Sequence, residues 1–171
     1  YNNADEVELF LNGESQGIRK KGKDEFHVMW RLKFVPGTIK VVSRKNGIEV
    51  LSKEIKTAGA PAQITLSADR KQIKADGKDL SFVTVEVKDK DGNLCPNADN
   101  LINFSIEGEG IIVGVDNGSP ISSESFKANF RKTFYGKCLV VIQSIENKGV
   151  ITLKATSGTL KSNELFIKTL K

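Results

Sequence analysis

One histidine, two cysteines, one tryptophan and four prolines in 171 residues leave several chemistries without their reagents. His27 stands alone, so a hydrolase triad has no second candidate for its base, and no serine lies in a nucleophile-elbow context. Cys95 and Cys138 form no Cys-x-x-Cys pair, and no second histidine completes a metal set with His27, so no metal site is expected. The two thiols either bridge, if their strands meet, or remain buried and free; spacing alone decides neither. No apolar run approaches the ~18 residues of a membrane span. The N-terminus also lacks the charged, apolar and small-residue order of a signal peptide.

Charge of one sign is missing as well. The net charge is +5, but 11 basic and 8 acidic residues stand in the stretch up to Ala58, and 15 and 13 follow it. The densest cationic cluster, Arg19-Lys20-Lys21 with Lys23, has no stacking aromatics between its members and reads as the solvent face of a hairpin. A nucleic-acid footprint needs clustered cations with such aromatics, so no nucleic-acid partner is expected.

What is present is alternation at period two, the mark of half-buried strands, and no segment shows helical period. Val7, Leu9 and Leu11 alternate with Glu6, Glu8 and Phe10, and Asn12-Gly13 turns the chain. Phe26, Val28, Trp30 and Leu32 alternate with His27, Met29, Arg31 and Lys33, which predicts a strand with Trp30 on its core phase and His27 on its surface phase. Pro36-Gly37 and the hairpin about Asn46-Gly47 complete five short strands in under sixty residues.

Gly59, Ala60, Pro61 and Ala62 bury little, and Pro61 offers no donor. They are read as a linker between a domain over 1–58 and a second over 63–171. Beyond them alternation resumes at Ile64 and Leu66, at Val83, Val85 and Val87, and at Ile102, Phe104 and Ile106. It continues at Ile111 to Val115, around Phe126, at Leu139 to Gln143, at Ile151 to Ala155 and at Leu165 to Ile167. Short strands every ten or so residues predict an all-β chain of two consecutive immunoglobulin-like sandwiches, the first small and incomplete at its N-terminus.

Candidate chemistry falls short at each place it can be sought. Glu6 and Glu8 share a strand face, at a separation a retaining glycosidase pair could use, but an exposed strand carries such acids routinely. Glu107 and Glu109 bracket Gly108 at a strand end, and the same holds for them. Asp89, Asp91 and Asn93 resemble the opening of an EF-hand loop, yet the glycine comes two places early and position twelve is Asn100. A hairpin turn explains DKDGN on backbone grounds. The glycine-rich GVDNG over 114–118 is not followed by a helix, so no phosphate cradle and no cofactor are expected.

Two longer stretches carry a resemblance. VELFLNGESQG, the Trp30 segment, VPGTIKVVSRKNG and EIKTAGAP look like a small β-domain found after the catalytic barrel in bacterial glycoside hydrolase family 2 enzymes of β-galactosidase type. The stretch ADGKDLSFVTVEVKDKDGNLCPNADNLINFSIEGEG, with GVDNGSP and SSESFKANFRKTFYGKCLVVIQS, is similar to the C-terminal immunoglobulin-like domain of the same enzymes. It is more loosely similar to invasin-type modules. The family's glycine turn would have Gly at Asp116, Asp at Ser119 and often His at Ser123, with an aliphatic residue at Cys95. No role of that turn is therefore carried over.

The resemblance implies a C-terminal piece of a secreted, periplasmic or cell-surface glycosidase, whose catalytic glutamates lie in a barrel upstream. On that expectation this chain holds no catalytic residue and packs against the barrel, other domains or a second subunit. The alternatives are a carbohydrate-binding module or a cell-surface adhesion module. A glycan module would work through exposed aromatics, of which only Trp30, Tyr1 and Tyr135 are available beyond nine phenylalanines that fall mostly at core phases.

Overall fold

The computed structural model describes residues 3–171, and Tyr1 lies outside the described residues. The chain divides between Thr57 and Ala58 into two compact units. Among the described residues every regular element is a strand.

The first unit is one antiparallel sheet. β1 (Glu6–Leu11) is followed by β2 (Glu14–Lys20), β3 (Thr38–Lys45) and β4 (Ile48–Lys56), ordered β2-β1-β3-β4. Asn12 and Gly13 at φ 51° and 87°, and Asn46 and Gly47 at φ 52° and 75°, make the two tight turns that the Asn-Gly dipeptides predict. Asn12 also ties its turn to the next one. Its Nδ2 donates to the Pro36 carbonyl (3.2 Å) and its Oδ1 accepts the Thr38 N–H (2.7 Å). Gly37 is required beside it, since its φ is 139° and a Cβ there would sit on the Asn12 amide.

The strand expected over Phe26 to Lys33 is absent, and four strands stand where five were expected. The reason is topological. β2 and β3 flank β1 and both run antiparallel to it, so residues 21–37 must return along the length of β1 from one of its edges to the other. The segment turns at residues 23–24 and has no ladder partner. Phe26, Met29, Leu32 and Phe34 are consequently exposed, and Trp30 is half-buried, not a core residue. Its indole Nε1 donates to the Gln16 carbonyl (3.2 Å), and the Arg19 guanidinium stands 5.5 Å from its ring. His27 is exposed, as its phase predicts.

Register places Val7, Leu9 and Leu11 of β1 on one face with Ile39, Val41 and Ser43 of β3, and these with Ile55, Lys53 and Leu51 of β4. Val7 and Leu9 are buried at the centre of that face. Toward β4 the same face stays open: Ile39, Leu51 and Ile55 are exposed, as is Ile48 at the start of the strand. The unit shows one layer of a sandwich whose apolar side extends past what its own described residues cover.

The second unit has both layers. β5 (Gln63–Ala68), β7 (Leu80–Lys88), β11 (Lys137–Ser144) and β9 (Gly110–Asp116) form one sheet in the order β5-β7-β11-β9. The other runs β10-β8-β12-β13-β6, from β10 (Phe130–Lys132), β8 (Leu101–Gly108), β12 (Gly149–Thr156), β13 (Asn163–Leu170) and β6 (Gln72–Lys74). Short β6 pairs parallel with β13, and the remaining ladders are antiparallel. This is an immunoglobulin-like sandwich.

Its core follows the alternation residue by residue. Val83, Val85 and Val87 on β7 and Val140 and Ile142 on β11 face Ile102 on β8, Ile151, Leu153 and Ala155 on β12 and Ile167 on β13, each fully buried. Burial of each such side chain contributes about 1.5–3 kcal/mol, which orders two sheets with no disulfide. Cys95 and Cys138 are buried and free. No strand forms around Phe126, where one was expected. The backbone bond from Val115 N–H to the Phe126 carbonyl (2.8 Å) fastens that region, and the strand lies later, at Phe130–Lys132.

Residues 59–62 are hydrogen-bonded into the second unit, although the sequence suggested a linker. Gly59 N–H donates to Asp89 Oδ2 (2.8 Å), Ala62 N–H to the Lys88 carbonyl (2.8 Å) and Lys161 N–H to the Ala62 carbonyl (2.9 Å). Pro61, without a donor, falls between these ties.

Candidate functional site

Among the acids that could have supplied chemistry, Glu6, Glu8 and Asp89 are engaged as structural acceptors. Glu8 takes the Ser15 hydroxyl (2.7 Å) and pairs with the Arg44 guanidinium (2.9 Å), and these bonds hold its carboxyl below the usual range. Glu6 shares its strand face but pairs with Lys20 instead, at 3.8 Å. Each carboxylate is thus paired with a cation of its own, and neither is left as the acid or the nucleophile of a glycosidase pair. Glu107 is exposed at the end of β8, and Glu109 is half-buried beyond it.

DKDGN is a turn built around one buried carboxylate. Asp89 Oδ1 accepts the N–H groups of Asp91 (2.9 Å) and Asn93 (2.8 Å), while Oδ2 accepts Gly59 N–H (2.8 Å) and Asn93 Nδ2 (3.0 Å). The Gly59 and Asn93 bonds hold its carboxyl at about 2. Four donors occupy the oxygens that a calcium ion would need, so the turn explanation is the structural one. At the opposite end of β7, Asp79 plays the same part, accepting Lys74 N–H (2.8 Å) and the Arg70 guanidinium (2.9 Å), and its carboxyl is likewise lowered.

GVDNG closes on itself for a related reason. Asp116 Oδ1 accepts the N–H groups of Asn117 (2.7 Å) and Gly118 (3.2 Å), so the amides that might cradle a phosphate already face a carboxylate. Beneath them lies Arg131 of β10, 1% exposed. Its guanidinium donates to the Glu124 carbonyl (2.9 Å), Asn117 Oδ1 (3.2 Å) and Asp116 Oδ1 (3.3 Å), and lies 5.1 Å from the Phe126 ring. Nε has no hydrogen-bond acceptor and stands 3.8 Å from Glu124 Oε2. A buried arginine is costly unless its fork is met, and here one side chain fixes both ends of the loop over 116–126. The sequence offers no sign of it, because Asn129-Phe130-Arg131-Lys132 reads as an ordinary solvated edge.

The cysteines carry no reactivity. Burial pushes the Cys138 thiol up to about 12 and raises that of Cys95, next to which Asp89 adds its negative charge. Thiols kept protonated in this way are packing groups.

One turn departs from its neighbours. Between β10 and β11, Phe134 and Lys137 exchange backbone bonds (2.8 and 3.1 Å) around Tyr135 and Gly136 at φ 49° and 75°. The two equivalent turns of the first unit place Asn12 and Asn46 in the left-handed position that Tyr135 takes here. A tyrosine holds that conformation at a cost of about 1–2 kcal/mol, which asparagine reduces by bonding locally. The Tyr135 ring is 67% exposed and leans on Phe134, centroids 4.4 Å apart and planes at 50°. Two residues on, Lys137 Nζ bonds Glu86 Oε1 (2.7 Å) across the ladder, and Lys88 holds the other oxygen (3.1 Å). Those two lysines, Lys137 first, lower the Glu86 carboxyl.

These features define an immunoglobulin-like β-sandwich module in which Glu8, Asp79, Glu86 and Asp89 are committed to turns and ladders. Residues 64–165 match the family model described as glycoside hydrolase family 2 C-terminal domain 5, and the chain belongs to that family. A second model, described as a domain of unknown function, matches residues 1–51. The chain is 59% identical over 167 residues to the β-galactosidase BoGH2A of Bacteroides ovatus, a match covering 98% of this chain and 20% of that protein. It is 34% identical over 148 residues to a putative β-glucuronidase of Formosa agariphila, covering 85% and 14%.

Among solved structures, a glycosyl hydrolase family 2 member from Bacteroides cellulosilyticus superposes with a TM-score of 0.91 at 41% identity, over 99% of this chain and 22% of that one. A β-glycosidase from Bacteroides vulgatus gives 0.92 at 31%, over 98% and 21%. The chain thus spans about a fifth of the length of these relatives.

Proposed function

We propose that this chain is a non-catalytic packing module of a larger family 2 glycosidase of β-galactosidase type, and that the open side of its first sheet is a seat for other parts of that protein. The observation that carries the reading is the exposed set Ile39, Leu51 and Ile55, which register places on the same face as buried Val7 and Leu9. Exposed apolar surface that extends a buried face in this way marks an interaction site. The names of the relatives support a glycosidase as the parent. The engagement of Glu6, Glu8, Asp79 and Asp89 supports a module that leaves bond cleavage to residues elsewhere.

On this reading the parent works outside the bacterial cytoplasm, where polymeric glycosides are met, and its full reading frame carries an export signal. Two assays test the role. The 171-residue chain should leave chromogenic galactosides and glucuronides uncleaved, and turnover at enzyme-like rates would overturn the proposal. Leu51→Asp with Ile55→Asp in the full-length parent should lower its melting temperature while leaving the chain alone unaffected; equal effects in both would contradict a packing seat.

A further inference from the structure

We propose that Tyr135, with the Lys137–Glu86 pair beside it, is a contact for a neutral glycan, in which one pyranose ring lies on the exposed face of the tyrosine. This inference concerns the second unit and does not rest on the packing role of the first. It begins from the internal comparison of turns. Asn12 and Asn46 occupy a left-handed position of the kind for which asparagine is suited, and Tyr135 occupies the third such position against its steric preference. Strain retained at an exposed position points to a side chain kept for what it touches.

The backbone beneath is fixed. Gly136 donates to the Ala98 carbonyl (3.0 Å) and accepts Val87 N–H (2.8 Å), and a Cβ on Gly136 would run into the Cys95 carbonyl. Phe134 supports the ring from one side, so a rigid turn presents an aromatic face to solvent. The negative face of such a ring attracts C–H bonds polarised by neighbouring oxygens, which line one side of a pyranose.

The neighbouring groups select the class of ligand. Lys137, two residues after Tyr135, bonds Glu86 across the ladder and Lys88 holds the other Glu86 oxygen, so donors and an acceptor stand on the strands that lead from the turn. A nucleic acid is disfavoured, because Glu86 already takes both lysines.

Native electrophoresis of the chain through gels containing a soluble galactan, glucan or xylan tests the assignment. At least one polysaccharide should retard the wild type. Tyr135→Asn should weaken retardation by about three- to tenfold, the value of one aromatic contact, and Tyr135→Trp should retain it. Tyr135→Asn should also melt a few degrees higher, which separates lost binding from lost folding. Glu86→Gln and Lys137→Met should weaken retardation as well. Absence of retardation with all three polysaccharides would overturn the proposal, as would a Tyr135→Asn variant that binds like the wild type. Protection of Tyr135 from iodination in the glycan-free parent enzyme would assign the ring to a protein contact and overturn it too.

Discussion

The two units are made of the same kind of strand but differ in what their strands face. In the second, every inward position of β7, β11 and β12 meets an opposing sheet, and Val83, Val140, Leu153 and Ile167 have no exposure. In the first, the inward face is covered only near Val7 and Leu9, and Ile55 at its margin is 74% exposed. Alternation in a sequence reports which face is apolar, and it is silent on whether the covering layer is supplied by the same residues.

The contrast can be broken by mutation. Leu153→Ala should cost about 2–5 kcal/mol in the second unit, read by denaturant unfolding, because a cavity opens between two fixed sheets. Arg131→Ala should cost about 3 kcal/mol, near the lower end for a broken buried pair, since Asp116 is half-exposed and water can take up its freed oxygen. Arg131→Lys should not rescue it, for an ammonium cannot meet three acceptors in a fork.

Acid should sharpen the same comparison. Asp76, Asp79, Glu86 and Asp89 of the second unit have lowered carboxyls, as has Glu8 in the first. A carboxyl lowered by folding contributes stability that is full above its ordinary value and lost as pH falls through its folded one. The second unit should therefore lose stability as pH falls below about 4, with the Asp89 share persisting to about 2. Asp89→Asn should flatten the lower part of that profile when melting is followed against pH.

A smaller change, and a gain, should come from Tyr135→Asn, which relieves the left-handed tyrosine and should stabilise the second unit by about 1 kcal/mol in the same unfolding assay. Smallest of all should be Leu51→Ala, which should change the stability of the isolated chain by less than about 0.5 kcal/mol, as other exposed positions do.

Much of this was legible in the residues. Asn12-Gly13 and Asn46-Gly47 specify their turns through backbone preference alone, and the Val83-Val85-Val87 phase specifies a buried strand whatever its partners. The Trp30 segment misled because alternation signals an extended chain, whereas a ladder also needs a neighbour, and the return path across β1 supplies none. Where a strand was expected near Phe126 there is a loop held by buried Arg131, and a lone basic residue has no periodicity to betray burial. Three-residue β6 is too short to alternate. The acids read as spare at Glu6, Glu8 and Asp89 are shown to be engaged only once their donors, some distant in sequence, come into place. At Tyr135 the composition pointed to an available aromatic, while its φ of 49° emerges only from the tight turn that Phe134 and Lys137 close by pairing across it.

Hydrogen exchange along β4, in the 171-residue chain and again within the full-length parent, tests the packing seat most directly. The strand has β3 as its one ladder neighbour among the described residues, and all nine of its positions are exposed. In the chain alone exchange along Ile48 to Lys56 should be fastest at the amides that do not bond β3, and in the parent the whole strand should be more strongly protected. Equal exchange in the two would mean that nothing covers this face, and would contradict the claim that the module exists to be packed against.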